Sequence, residues 1–239
     1  MTIENTQATI AFIPFAGGSH HAFRSIQKRL PTCIESIGID YARHRGGECD
    51  APSHTVDRMV EQAIEQIRQA KPSRLILFGY SLGAIVAYEV SKRYSELPCA
   101  ISRLVVAACR PPHLFQCDQV NLQSSDDEFL RSIATFGVIP DFLFENHSAR
   151  RYLLPKLKRD FFAAKRYRYG EFRKLPISLS TICGQYDEFA PSCDVDAWEE
   201  HFSALFNKHR VSGGHLFHES HADQLADILT AEAQIEIDY

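Results

Sequence analysis

Residues 73–90, SRLILFGYSLGAIVAYEV, constrain this chain more than any other stretch. The apolar run Leu75–Phe78 reads as a buried strand, and LGAIVAYEVSKRY (82–94) reads as a helix. Only Gly79-Tyr80-Ser81-Leu82-Gly83 joins them. The turn must be tight, and a side chain at either glycine would collide with neighbouring backbone. Such a turn holds Ser81 in a strained conformation, with the free N–H groups and positive end of the following helix directed at its oxygen. G-x-S-x-G alone describes a glycine loop as readily as a nucleophile. The strand before it and the helix after it favour the nucleophile.

The rest of the chain repeats the alternation. Strands are expected at 8–15, 34–41, 73–79, 101–109, 177–184 and 208–214. HHAFRSIQKRL (20–30) reads as a short helix stopped by Pro31. Val56, Met59, Val60, Ala63, Ile64 and Ile67 recur at helical spacing over 55–70. ADQLADILTAEA (222–233) reads as a closing helix. Alternating strands and helices predict a mostly parallel sheet flanked by helices on both faces, the α/β class, with ligands at the carboxyl ends of the strands. About seventy residues, 110–175, interrupt the pattern before the fifth strand. They are rich in helix formers and aromatics and too long for a plain loop, so a helical lid is expected there.

With 239 residues, one α/β domain spanning 1–239 is expected. A net charge of −4 argues against general affinity for nucleic acid, and no apolar run reaches the length of a membrane span. The N-terminal MTIENTQATIAFIPF lacks the basic start of a secretion signal. Seven cysteines stand singly with no C-x-x-C, which suits reduced thiols and a cytoplasmic location.

A nucleophilic serine needs a base, and the base an orienting acid. TICGQYDEFAP places Asp187 just after the fifth strand, and VSGGHLFHE places His215 just after the sixth. Alone, Asp187 reads as a turn residue and His215 as a packed histidine. In the order Ser, Asp, His, each at a strand end, they read as a catalytic triad. An oxyanion hole needs two backbone donors. Leu82, next to the nucleophile, supplies one, and Ala16, in the turn PFAGGS after the first strand, is expected to supply the other.

Several segments, in this order and spacing, resemble the type II thioesterases, the free-standing editing enzymes of nonribosomal peptide and polyketide synthases. They are FIPFAGGSHHAFRSI, LFGYSLGAIVAYEV, RPPH (110–113), SSDDEFLRSIATFGVIPDFL, LLPKLKRDFFAAKRY, GQYDEFAP and GGHLF. The resemblance implies an α/β-hydrolase fold with Ser81, Asp187 and His215 as triad and Ala16 and Leu82 as oxyanion donors. It also implies an acyl thioester carried on the phosphopantetheine arm of an acyl or peptidyl carrier protein. Two features depart from the family. Tyr80 stands where a histidine is usual, and the loop after the second strand reads YARHRGGE rather than a Pro-Gly-Arg-Gly type.

A basic strip on this acidic chain includes Arg150, Arg151, Lys156, Lys158, Arg159, Lys165 and Arg166. It fits docking of a phosphate or an acidic carrier protein, or else a solvated helical face. His215, His218 and His221 are spaced i, i+3, i+6 and do not share one helical face, so no metal site is expected. The chemistry needs no other cofactor. The same triad would serve a carboxylesterase or an acyltransferase, and a monomer is the expected state.

Overall fold

A computed structural model describes residues 8–41, 54–117, 120–135, 137–139, 142–170, 172 and 174–234. Six strands form one sheet: β1 (Ala8–Ile13), β2 (Ile34–Gly38), β3 (Arg74–Tyr80), β4 (Ile101–Ala107), β5 (Ser178–Gly184) and β6 (Phe206–Val211). Their order is β2-β1-β3-β4-β5-β6 and every pairing is parallel. Strands β1, β3, β4 and β5 are almost wholly buried, whereas the edge strands β2 and β6 are half-open. This is the pattern of a sheet covered on both faces.

Successive residues of β3 point to opposite faces. Leu75 and Leu77 join a core with α2 (Val56–Ala70) and α3 (Leu82–Lys92), while Ile76 and Phe78 join the opposite core. That second face is covered by the four-residue α1 (Arg24–Gln27) and by α9 (Ala222–Gln234). In α2 the six apolar positions predicted to face inward are all buried, and Thr55 caps the helix by accepting the Arg58 N–H.

Between β4 and β5 lie α4 (Asp126–Ala134), α5 (Phe142–Glu145) and α6 (His147–Arg166). A complete capping box, Ser125 with Glu128, starts α4. These helices enclose a small core of their own, with Phe129, Leu130, Ile133, Leu157 and Phe161, and Ala16 packs against it from outside. The elements α7 (Ser192–Asp196) and α8 (Phe217–Ser220) are short and follow β5 and β6.

Several expected boundaries shift, among them the ends of β2 at Gly38 and of β4 at Ala107. Strand β1 ends at Ile13 because Pro14 has no N–H to continue the ladder. The segment 20–30 is a 3-10 turn at His20–Phe23 followed by α1, rather than one helix. There His20 is tied to Asp40 by its backbone N–H (2.8 Å) and its ring Nδ1 (2.5 Å). Strand β6 ends at Val211, before Ser212-Gly213-Gly214 turn the chain back against Gly184. The loop at 42–48 that departs from the family lies outside the described residues.

Candidate active site

The strand order reverses between β1 and β3, and the site forms at the carboxyl ends of these two strands. Ser81 follows β3 with φ 51° and ψ −121°. This is an uncommon backbone state that costs a non-glycine residue about 1–3 kcal/mol. Neighbouring backbone holds it there: the Ser81 N–H donates to the Ala107 carbonyl (2.8 Å). A Cβ at Gly79 would lie 2.4 Å from the Gly83 carbonyl oxygen, and one at Gly83 would lie 2.2 Å from that of Ile13. Both flanking glycines are therefore steric requirements of the turn.

Asp187 and His215 emerge from β5 and β6 beside this serine. The Ser81 hydroxyl lies 3.1 Å from His215 Nε2, and His215 Nδ1 lies 2.9 Å from Asp187 Oδ2. The other carboxylate oxygen, Oδ1, accepts the N–H groups of Phe189 (3.0 Å) and Ala190 (2.9 Å), which fixes the carboxylate plane. Asp187 and His215 are each 3% exposed and Ser81 is 9% exposed. With Nδ1–H donated to the acid, the Nε2 lone pair is left facing the hydroxyl, as proton abstraction from the serine requires. The loops that carry Asp187 and His215 are bound directly to each other, since the Tyr186 N–H donates to the Gly213 carbonyl (2.9 Å).

Tyr80 is fully buried, and its hydroxyl donates to the His215 carbonyl at 2.6 Å. It also accepts the His218 N–H at 3.4 Å. Burial holds the Tyr80 phenol well above its ordinary pKa, so it remains a donor. Burial, with His215 nearby, pushes His218 down to about 3, so the His218 ring stays uncharged beside His215.

Ala16, Ser81, Leu82 and His215 together line a cavity of about 20 Å³, walled by Phe115 and Phe161. That is room for about one water molecule. A groove of about 330 Å³ adjoins it, sharing Phe15, Ala16, Val138 and Leu216, and runs between the Ala16-Gly17-Gly18 turn and α5 and α6. Leu82 is the first residue of α3, where backbone N–H groups have no partner within the helix. Gly18 N–H donates to the Phe15 carbonyl (2.9 Å), closing a four-residue turn in which Gly17 has φ 74°. Such a turn needs glycine at its third position.

Most of the predicted basic strip is engaged within the chain. Arg150 pairs with Asp127, Lys158 with Asp126 (2.6 Å), and Arg159 with Asp160 (3.0 Å). Lys156 Nζ donates to the Gly18 carbonyl (2.5 Å) and Lys165 Nζ to that of Val120 (2.9 Å). Arg166 is exposed, with its guanidinium over the Phe162 ring, and Arg151 is exposed on α6. Among the described residues no group of three or more metal-binding side chains comes together. None of the described helices is long and apolar enough to cross a membrane.

Sequence reasoning missed two parts of this site. One is Tyr80 as a support for His215, a contact across 135 residues. The other is Asp160, a fully buried carboxylate on α6. It had one legible sign: it falls three residues after Leu157 and four before Ala164, inside the apolar stripe of its helix.

Comparison with known proteins agrees with this architecture. The chain is 29% identical over 225 residues to the linear gramicidin dehydrogenase LgrE of Brevibacillus parabrevis, covering 92% of this chain and 85% of that protein. It is 27% identical over 218 residues to the thioesterase PikA5 of Streptomyces venezuelae, covering 89% and 76%. The solved structure of the type II thioesterase BorB from the borrelidin biosynthetic cluster superposes with a TM-score of 0.84 at 24% identity. That superposition covers 96% of this chain and 94% of that one, and shows the shared fold. The thioesterase domain family model matches residues 8–232, nearly the whole chain, and this chain belongs to the thioesterase domain family.

Proposed function

We propose that the protein is a serine thioesterase that hydrolyses acyl groups from the phosphopantetheine arm of carrier proteins, clearing stalled or misloaded synthase modules. The observation that carries this reading is the continuous relay Ser81–His215–Asp187, ending in a cavity bordered by Ala16 and Leu82. The LgrE name points to a dehydrogenase, but this sequence contains no G-x-G-x-x-G with which to bind a dinucleotide.

In the proposed cycle His215 takes the Ser81 proton as Oγ adds to the thioester carbonyl carbon. The Leu82 and Ala16 N–H groups stabilise the resulting oxyanion, each contributing about 3 kcal/mol. Asp187 holds the imidazolium. As the tetrahedral carbon collapses, the carbon–sulfur bond breaks and His215 protonates the departing pantetheine thiolate. Water, deprotonated by His215, then adds to the acyl-serine carbonyl; as that tetrahedral carbon collapses the bond to Ser81 Oγ breaks, His215 returns the proton to Oγ, and the acid leaves with the free enzyme restored. No metal or organic cofactor enters the cycle, and the pantetheine belongs to the carrier.

In this reading residues 110–175 form the lid, and the 330 Å³ groove beneath it admits the pantetheine arm. Of the basic strip, Arg151 and Arg166 present their charge outward and are the ones assigned to carrier docking. The site is read as that of a monomer working in the cytoplasm beside its synthase. The test is labelling by an alkyl fluorophosphonate with peptide mapping, paired with rates on matched thioester and oxygen-ester substrates. Label on Ser81, with the thioester preferred, supports the reading. Label on Ser81 with the oxygen ester preferred makes the protein an esterase, and failure to label removes Ser81 as nucleophile.

A further inference from the structure

The Ala16-Gly17-Gly18 turn is held mainly by the helical insert, from 140 residues away in sequence. Asp160 Oδ2 accepts the Gly17 N–H at 2.7 Å. Asp160 Oδ1 is met by His54 Nε2 (3.0 Å) and by Arg159 Nε (3.1 Å) and Nη2 (3.0 Å), so the carboxylate is fully buried and engaged at both oxygens. Two further contacts from α6 clamp the same turn. Lys156 Nζ donates to the Gly18 carbonyl, and Leu157 sits so close that a Cβ on Gly17 would lie 2.7 Å from its Cδ2. The peptide N–H that Asp160 holds is the one next to the N–H of Ala16. Fixing the Gly17 amide plane fixes the Ala16 carbonyl that forms part of it, and so limits how the Ala16 residue can rotate.

We infer that Asp160 is a positioning residue that sets the oxyanion hole: by holding the Gly17 N–H it aims the Ala16 N–H at the developing oxyanion, and it makes that aim conditional on α6 being seated. The inference rests on the reading of Ala16 as an oxyanion donor. It predicts a residue that acts on the transition state without touching substrate. Its loss lowers kcat and leaves KM nearly unchanged, because the ground-state carbonyl depends less on this donor than the oxyanion does.

The test is a double-substitution cycle on a small acyl-N-acetylcysteamine thioester, which removes carrier docking from the measurement. Ala16 occupies the second position of its turn, where proline is favoured, so Ala16→Pro removes the N–H with little change of backbone. That variant is expected to lose about 10²–10³-fold in kcat. Asp160→Ala is expected to lose about 10–50-fold with KM within about twofold. That is less than removal of the donor itself, since the N–H remains but is misaimed. Asp160→Asn keeps the side-chain volume and carries the cycle if the alanine variant does not fold. Whichever way its amide turns, its N–H₂ faces either the Gly17 N–H or the Arg159 guanidinium, so a loss of about tenfold is expected.

The deciding result is the pair. If Asp160 acts through Ala16, Ala16→Pro combined with either Asp160 variant loses no more than about threefold beyond Ala16→Pro alone. Losses that multiply, or Asp160 variants with wild-type kcat, overturn the role of Asp160 while leaving Ala16 in place. Ala16→Pro at wild-type kcat removes Ala16 from the oxyanion hole and overturns the premise instead.

Discussion

Replacing Tyr80 by phenylalanine deletes one oxygen atom and leaves every ring contact intact. Tyr80 packs among Phe15, Phe23, Phe78, Phe217 and His218, and Phe can fill that space. The loss is therefore confined to the hydroxyl, which donates to the His215 carbonyl at 2.6 Å in a site closed to solvent. A buried carbonyl left without its donor costs about 1–3 kcal/mol. For a chain of this size each kcal/mol lowers Tm by about 2–4 °C, so a drop of about 2–12 °C is expected by calorimetry. The same bond fixes the backbone of His215, the proposed general base. If the whole loss were felt in the transition state, kcat would fall about 5–150-fold, at 1.4 kcal/mol per factor of ten. Part of it will be absorbed by relaxation, and a fall of about 3–30-fold at unchanged KM is the expected result. Steady-state rates on a thioester, with Tm measured on the same preparation, check it. A Tyr80→Phe enzyme with wild-type Tm and wild-type kcat would refute the claim that this hydroxyl supports His215.

Two further outcomes are expected. Burial pushes His201 down to about 4 and His218 to about 3 from an ordinary 6.5, so both stay neutral when folded while the unfolded chain takes up protons. Their contribution is complete above pH 6.5 and is lost as pH falls from there, toward about 4 for His201 and about 3 for His218. Urea unfolding should show about 2 kcal/mol less stability at pH 5.5 than at pH 6.5, and a His201→Gln/His218→Gln variant should show a flatter profile; an unchanged slope in that variant counts against the assignment. Charge reversal at Arg151 and Arg166 should raise KM for a carrier-borne substrate about tenfold with little effect on a small thioester, because outward charges steer the partner rather than the chemistry. An equal effect on both substrates would place these residues in the chemistry instead.

The strand-and-helix pattern was legible because the core strands are apolar runs and α2 is a regular amphipathic helix. The meeting of Ser81, Asp187 and His215 was legible for a related reason: in a parallel sheet, residues just past the ends of β3, β5 and β6 emerge at the same edge. What sequence could not supply were contacts made across long separations. Asp160 falls in the apolar stripe of α6, but nothing local indicates that its carboxylate reaches back to the Gly17 N–H, 143 residues away. Lys156 and Arg159 look like a docking face and are instead bound within the chain. The helix expected over 20–30 is divided into a 3-10 turn and the four-residue α1, with Phe23 at their junction at φ −100° and ψ 9°.

The central claim is that Ser81 attacks carrier-bound thioesters from within this relay. Its most direct test is acyl release from a phosphopantetheinylated carrier protein across a panel of short acyl groups, with Ser81→Ala alongside. The account predicts release by the wild-type protein, none above background by Ser81→Ala, and an acyl-serine on the peptide containing Ser81 when turnover is quenched. Intact acyl-carrier after incubation with wild type, while small esters are cleaved through Ser81, would contradict it.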